Sequence, residues 1–155
     1  ALNKEPFSIA ELVNDVAGKY RLISQKHGIS INTTLKSNIP LVEADISLID
    51  RVLQNLIDNA VRFCKQGDYI NIEIEPDSDE MIKLRIADSG AGIDKASLPH
   101  IFERYYKGDG YKQSSGLGLA IVKRIIDLHK TSIEVKSIKG KGTTFSFNLP
   151  IARIA

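Results

Sequence analysis

The sequence predicts a two-layer α/β sandwich, in which a mixed, mostly antiparallel sheet carries helices on one face. Two observations lead to this prediction. Several short segments alternate strictly between apolar and polar residues, which gives each predicted strand one buried and one solvent-facing side. Three longer segments repeat apolar residues at helical spacing. A single sheet with helices packed on one side buries both kinds of apolar face.

Two helices and a strand are predicted in the N-terminal part of the chain. Ser8 and Glu11 form an S-x-x-E capping signature, which predicts a helix from about Ile9 to His27. The alternating stretch ISINTTL predicts the strand that follows. Asp45 can cap a second helix, which should run from Ile46 to about Lys65.

The rest of the chain predicts four more strands, a third helix and one long loop. The third helix is LGLAIVKRIIDLH, between the second and third of these strands. The segment 94–115 carries charges, tyrosines and small residues without a sustained period, as functional or mobile loops do. The alternating apolar residues of the four strands are Ile70, Ile72 and Ile74; Ile82, Leu84 and Ile86; Ile133 and Val135; and Phe145, Phe147 and Leu149.

Composition bounds the possible functions. A chain of 155 residues should form one domain, and a net charge of +2 is too small to suggest a nucleic-acid or membrane surface. The single cysteine excludes an internal disulfide, and no apolar run approaches the roughly 18 residues of a membrane span. Because the chain begins at Ala1 without a methionine, we expect a fragment of a longer protein.

Three polar residues of the second helix lie at the border of its apolar stripe. Asn55, Asn59 and Arg62 fall within about 60° of one another on a helical wheel. An amide oxygen is a neutral ligand for Mg²⁺, and a guanidinium binds phosphate. The row could therefore face a metal–phosphate group. The alternative is a polar helix edge that is simply solvated.

The stretch DSGAGID interrupts the end of a predicted strand. Asp88 has the same parity as the apolar residues before it, so its carboxylate should point toward the covered face. A buried carboxylate requires donors, and an adenine amino group could supply one. Gly90 and Gly92 would leave room for a flat ligand to approach the backbone. The alternative is a capped strand end followed by a turn.

Two further glycine-bearing stretches are ambiguous on their own. SSGLGLAIVKRI opens the third helix, where free backbone N–H groups make either an anion site or an ordinary glycine-rich helix start. GKGTTF fits a hairpin turn between the last two strands. Neither P-loop nor Rossmann spacing is present. Cys64 is predicted to be a core residue, and the three histidines are scattered without metal-ligand spacing.

The order of these motifs is more specific than any one of them. NLIDNA, DSGAGI, IFERYY, GLGLAIV and GKGTTF follow one another in the chain. They closely resemble the N, G1, F, G2 and G3 boxes of the catalytic and ATP-binding domain of sensor histidine kinases. The resemblance covers about Val42 to Leu149, and residues 1–41 are similar to the lead-in helix and strand of that domain.

The resemblance implies a Bergerat-type (GHKL ATPase) fold that binds ATP and Mg²⁺. Asn59 would be the Mg²⁺ ligand with Asn55 beside it, Arg62 would reach the phosphates, and Asp88 would hold the adenine amino group. Asn55, Asn59 and Arg62 would thus be the catalytic residues. The other implied nucleotide-site residues are Phe63, Gly90, Gly92, Ile93, Leu117, Leu119 and Thr143, with Gly116 and Gly118 bordering the triphosphate. Segment 94–115 would be an ATP lid, to which Phe102, Arg104, Tyr105 and Lys107 belong.

Two departures from the family pattern refine the expected function. Nothing matches the family's phosphate-accepting histidine box, so the fragment should bind ATP without phosphorylating itself. Asn55 stands where related hydrolytic ATPases carry glutamate, which favours phosphoryl transfer because an amide is a poor general base. The implied partners are a histidine-bearing dimerisation domain of the same parent protein and a response regulator, in the cytoplasm. A serine-phosphorylating relative and a nucleotide-binding module without transfer activity are the alternatives.

Overall fold

The computed structural model describes residues 1–106 and 117–153, which form seven strands, three α-helices and a short 3-10 turn. The strands are β1 (Glu5–Phe7), β2 (Ser30–Leu35), β3 (Val42–Ala44), β4 (Tyr69–Pro76), β5 (Met81–Asp88), β6 (Ile133–Ile138) and β7 (Gly142–Pro150). The helices are α1 (Ile9–Lys26), α2 (Ile46–Phe63) and α3 (Gly118–Leu128), and the 3-10 turn is Leu98–His100. All three predicted helices are present within two residues of their expected ends.

Five strands form one sheet in the order β2-β4-β5-β7-β6. The β2–β4 pair is parallel and the other three pairs are antiparallel, so the predicted mixed, mostly antiparallel sheet is confirmed. Inward-facing residues of β4, β5 and β7 are buried in one cluster with the apolar stripes of the three helices. The opposite face carries ion pairs, including Lys36 with Glu73 at 2.8 Å. The helices therefore cover one face only.

A second, two-stranded sheet was not predicted from the sequence. β1 and β3 pair antiparallel, with Phe7 opposite Val42. Each has only three residues, too few for an alternating pattern to stand out. Within the described ranges, no helix has the length and apolar character needed to cross a membrane.

The predicted helix caps are confirmed. Ser8 Oγ accepts a hydrogen bond from the Glu11 backbone N–H at 3.2 Å, and Asp45 Oδ1 accepts one from Leu48 at 3.3 Å. Cys64 is the C-cap of α2 and packs, half-buried, at the margin of the core. Burial raises the pKa of its thiol to about 12, and the negative charges of Asp88 and Asp68 add to the rise.

Candidate functional site

The candidate site lies where the C-terminal end of β5, one edge of α2 and the first turn of α3 come together. A Cβ atom on Gly118 would lie 3.8 Å from the Asn55 side-chain oxygen, which places the start of α3 beside the middle of α2. Asp88 is the last residue of β5 and is paired with Thr143 of β7. Three motifs that are distant in the sequence therefore meet in the fold.

Asp88 points into the protein, as its strand parity predicts. Its side chain is 7% exposed, and its Oδ1 accepts a hydrogen bond from the Gly90 backbone N–H at 2.9 Å. Burial raises the pKa of Asp88 to about 6, while backbone hydrogen bonds from Gly90 and Thr143 oppose the rise and the charge of Asp68 adds to it. A carboxylate has about four acceptor positions, so two backbone donors leave capacity for a ligand donor.

The polar edge of α2 is only partly solvated. Asn59 is 8% exposed, and its side chain makes no hydrogen bond within the described part of the chain. The Nδ2 atom of Asn55 is buried and unpartnered among the same residues. Arg62 is exposed and pairs with Asp58 at 2.9 Å, one helical turn earlier. A buried, unpartnered amide nitrogen on Asn55, one helical turn from the buried Asn59, indicates a place for a polar ligand.

The glycines of DSGAGID allow protein backbone to pack closely against this loop. A Cβ atom on Gly90 would lie 2.4 Å from the carbonyl oxygen of Phe63, and one on Gly92 would lie 2.2 Å from that of Ile138. The space beside both residues is filled by protein backbone, so the glycines allow the loop to pack between α2 and the β6–β7 hairpin. This close packing alone requires glycine at both positions. Their place beside a nucleotide stays a prediction.

Several other predicted site residues are part of the hydrophobic core. Phe63, Ile93 and Leu119 are at most 7% exposed. Their side chains pack in the hydrophobic core beside the site. Thr143 is 3% exposed and lies directly opposite Asp88 in the β5–β7 register. Leu117 is the half-buried N-cap of α3, where no side chain caps the helix among the described residues.

The predicted lid is described only in its first part. Phe102 is half-buried and meets Phe145 edge to face, with ring centroids 6.3 Å apart. Arg104 is exposed, and Tyr105 is 67% exposed with a φ of 62°. Lys107 and Gly116, also predicted as site residues, lie outside the described residues.

One contributor near the site was missed from the sequence. Ser137 of β6 makes three hydrogen bonds near Asp88, to the backbone of Ile93 and Gly142 and to the side chain of Thr143. Its stretch KSIKGKG shows only strand alternation before a turn. Nothing in the residue types around it distinguishes a bridging hydroxyl from an ordinary strand serine.

Comparison with known proteins agrees with this geometry. Residues 44–153 match the family described as histidine kinase-, DNA gyrase B-, and HSP90-like ATPase. The chain belongs to this ATPase family. The sensor protein SrrB of Staphylococcus aureus is 43% identical over 155 residues, covering 97% of this chain and 26% of SrrB. This ATPase domain therefore spans about a quarter of the length of the curated relatives it matches.

Solved structures place this ATPase domain among histidine kinase catalytic domains. The nucleotide-free catalytic domain of ThkA has a TM-score of 0.84 at 26% identity, covering 96% of this chain and 97% of that one. Full-length ShkA in complex with AMPPNP has a TM-score of 0.90 at 27% identity, covering 100% of this chain and 32% of that one. ThkA in complex with the response regulator TrrA has a TM-score of 0.82 at 26% identity, covering 97% and 42%. The expected Bergerat-type fold is confirmed.

Proposed function

We propose that this chain is the kinase domain of a sensor histidine kinase in a two-component system. It would bind ATP with Mg²⁺ and transfer the γ-phosphate to a histidine on a separate dimerisation hairpin. The observation that carries this proposal is Asp88, a buried carboxylate with spare acceptor capacity at the end of a strand. Family membership supplies the ATPase fold around it.

Asp88 would bind the adenine amino group. The donor that a buried carboxylate still lacks after two backbone hydrogen bonds is a neutral N–H, and the amino group of adenine provides one. Guanine and hypoxanthine present a carbonyl oxygen at the equivalent position, which Asp88 would repel. The candidate adenine site should therefore distinguish bases by whether the group facing Asp88 donates or accepts a hydrogen bond.

The amides of α2 and the start of α3 would receive the metal–phosphate group. Asn55 has a buried Nδ2 without a partner among the described residues, and Asn59 is 8% exposed one helical turn away, so this edge fits a polar ligand. Asn59 Oδ1 would ligate Mg²⁺, which when bound neutralises charge on the transferring phosphoryl group. At the N-terminus of α3, where no side-chain cap is present among the described residues, backbone N–H groups would be offered to phosphate oxygens. Arg62 would exchange its exposed Asp58 partner for phosphate, since exposed ion pairs are worth under about 1 kcal/mol.

The residue of α2 that faces the start of α3 is not a base suited to activating water. Asn55 is a neutral amide beside the first residue of α3, and it cannot accept the proton that an attacking water must lose. Transfer to a nucleophile delivered by a partner is therefore favoured over hydrolysis, with positioning and charge neutralisation as the means of catalysis. The solved complex of the similar kinase ThkA with TrrA supports a response regulator as the downstream partner. The domain would work in the cytoplasm.

Calorimetry and phosphate transfer together test this function. The isolated chain should bind ADP and ATP, more tightly with Mg²⁺ than with EDTA, and Asp88→Asn should weaken binding roughly tenfold. Adding the parent protein's histidine hairpin to the chain with γ-labelled ATP should label the hairpin with an acid-labile phosphate. Wild-type affinity in Asp88→Asn would overturn the adenine assignment. An unlabelled hairpin beside a nucleotide-loaded chain would overturn the kinase assignment.

A further inference from the structure

A single hydroxyl joins the two loops that flank Asp88. Ser137 Oγ accepts a hydrogen bond from the Ile93 backbone N–H at 2.7 Å, donates one to the Gly142 carbonyl at 3.0 Å, and lies 2.8 Å from Thr143 Oγ1. Ile93 ends the DSGAGI loop that follows Asp88, and Thr143 faces Asp88 across the β5–β7 pair. Ser137 therefore contacts both the loop that ends at Ile93 and Thr143, which flank the candidate adenine seat around Asp88.

The proton count of this cluster fixes the orientation of the Thr143 hydroxyl. A serine hydroxyl has one proton and two lone pairs. The Ser137 proton goes to the Gly142 carbonyl, since a carbonyl oxygen can only accept. The Thr143 hydroxyl must then donate its own proton to Ser137 Oγ, because Ser137 has none left to give. Thr143 Oγ1 is left with acceptor capacity only.

This arrangement leaves two acceptors side by side at the end of β5. Asp88 and Thr143 are paired residues, 7% and 3% exposed, and neither has a proton to donate when Asp88 is ionised. Such a pair favours an exocyclic amino group, which offers two N–H donors, and disfavours a carbonyl oxygen at the same position. The specificity depends on Ser137, since without it the Thr143 hydroxyl can rotate and donate.

We propose that Ser137 is a positioning residue that sets base specificity by orienting Thr143 as an acceptor and by fixing the loop that ends at Ile93. The inference rests on the proposed adenine seat at Asp88. Ser137 does not touch the nucleotide; it acts through the hydroxyl of Thr143 and the amide of Ile93. The Gly140 N–H to Ala91 carbonyl hydrogen bond, 2.6 Å long, remains to hold the same loop when the Ser137 hydroxyl is removed.

The test compares affinities for ADP and inosine diphosphate, which carries a carbonyl oxygen where adenine carries the amino group. Wild type should prefer ADP, and Ser137→Ala should reduce that preference roughly three- to tenfold, as expected for reversing one hydrogen bond. Ser137→Thr, which keeps the hydroxyl, should restore it. Thr144→Val is the matched control, because it removes a hydroxyl from the same hairpin on the opposite sheet face. A merely structural role for Ser137 would weaken both nucleotides by the same factor.

Each outcome assigns the failure to one proposal. If wild type binds both diphosphates equally, the adenine seat itself is wrong. If wild type prefers ADP and Ser137→Ala keeps the full preference, the role of Ser137 is overturned. Hydrogen exchange of the Ile93 amide should also accelerate in Ser137→Ala, whereas the Gly140 amide should not change. Should Ser137→Ala fail to fold, the ADP and inosine diphosphate affinities are compared in Ser137→Cys instead. Its thiol is similar in size to the hydroxyl but is a weaker hydrogen-bond donor and acceptor.

Discussion

The Nε2 atom of His129 accepts a hydrogen bond from the backbone N–H of Asp45 at 3.1 Å. His129 is the C-cap of α3 and Asp45 is the N-cap of α2, so this contact joins the two helices that carry the candidate site. The other ring nitrogen, Nδ1, lies 2.9 Å from the Ile125 carbonyl and must donate its proton there, since Nε2 is the acceptor. The two contacts thereby fix the orientation of the buried imidazole.

Replacing His129 should therefore destabilise the fold. His129→Ala removes the acceptor for the Asp45 amide and the donor to Ile125, and it leaves buried backbone groups unpaired. We expect a loss of roughly 1–3 kcal/mol in the free energy of unfolding, measured by urea titration. The matched control is His27→Ala, which removes an exposed imidazole from the C-cap of α1 and should change stability by under about 0.5 kcal/mol. Equal effects of the two substitutions would contradict the bridging role.

The charge of Asp88 should cost stability at neutral pH. Its pKa is about 6 in the folded chain and near 3.8 when unfolded, so the folded state binds more protons between these values. Stability should thus fall as pH rises from about 4 to about 6, by roughly 2–3 kcal/mol from this group, and stay lower above that. Asp88→Asn should be more stable than wild type at pH 7 although it binds ADP more weakly. Thermal unfolding of both proteins from pH 4 to pH 8 measures this.

If the difference in thermal stability between wild type and Asp88→Asn does not change between pH 4 and pH 8, the raised pKa of Asp88 is contradicted. The expected trade of stability for binding has a physical reason. A carboxylate poised beside a ligand must stay desolvated before the ligand arrives, and the folded protein bears that cost.

Gly142 should be the least replaceable described glycine of the β6–β7 hairpin. Its φ is +133°, and a Cβ atom there would lie 2.1 Å from the Asp88 carbonyl oxygen. Gly142→Ala should therefore cost roughly 2–4 kcal/mol from strain and clash together. Gly140→Ala, at φ +85° with nothing near its Cβ position, should cost only about 1 kcal/mol. Calorimetric unfolding of both variants ranks them, and the reverse order would refute the close approach of the hairpin to Asp88.

The fold could be predicted from the sequence wherever burial of one face makes apolar residues recur at regular spacing. Alternation in β4, β5 and β7 and the stripe of α2 predicted the layers and the inward direction of Asp88, because side-chain direction follows directly from the strand repeat. The parallel pairing of β2 with β4 could not be predicted in this way, since a period says which face is buried and not which neighbour is paired.

The candidate site was predicted by motif more than by geometry. Gly90 and Gly92 are close-packed against the Phe63 and Ile138 carbonyls, and such contacts come from elements far apart in the chain. The same holds for His129 and Ser137, whose hydrogen bonds to Asp45 and Ile93 span 84 and 44 residues. Nothing local marks such residues, because their partners are set by the tertiary fold.

The Mg²⁺-dependent part of nucleotide binding should depend on Asn59. Asn59→Ala removes the proposed ligand oxygen, so the gain in ATP affinity on adding Mg²⁺ should shrink roughly tenfold, while binding in EDTA stays close to wild type. Asn14→Ala makes the same chemical change at an exposed position of α1 and should leave both affinities unchanged. Titration calorimetry with and without Mg²⁺ gives the comparison. An undiminished response to Mg²⁺ in Asn59→Ala would show that another group holds the metal.

The isolated chain should bind ATP without labelling itself. His129 is buried with both ring nitrogens engaged, and His100 lies 2.9 Å from Glu103 and stacks on Tyr106. His27 is exposed at the end of α1, in a sequence that does not match the family's acceptor box. Incubation with γ-labelled ATP should leave the chain unlabelled and release phosphate slowly, because Asn55 cannot take a proton from water.

Supplying the acceptor should restore transfer without any change to the nucleotide site. The parent protein's histidine hairpin, added to the same mixture, should acquire label that is lost in acid, as phosphohistidine is. A hairpin whose acceptor histidine is replaced by glutamine is the control and should stay unlabelled. Rapid phosphate release by the chain alone, with the hairpin unlabelled, would mean that water is the nucleophile. Asn55 would then not limit the reaction, and a hydrolytic ATPase of the same family would replace the kinase.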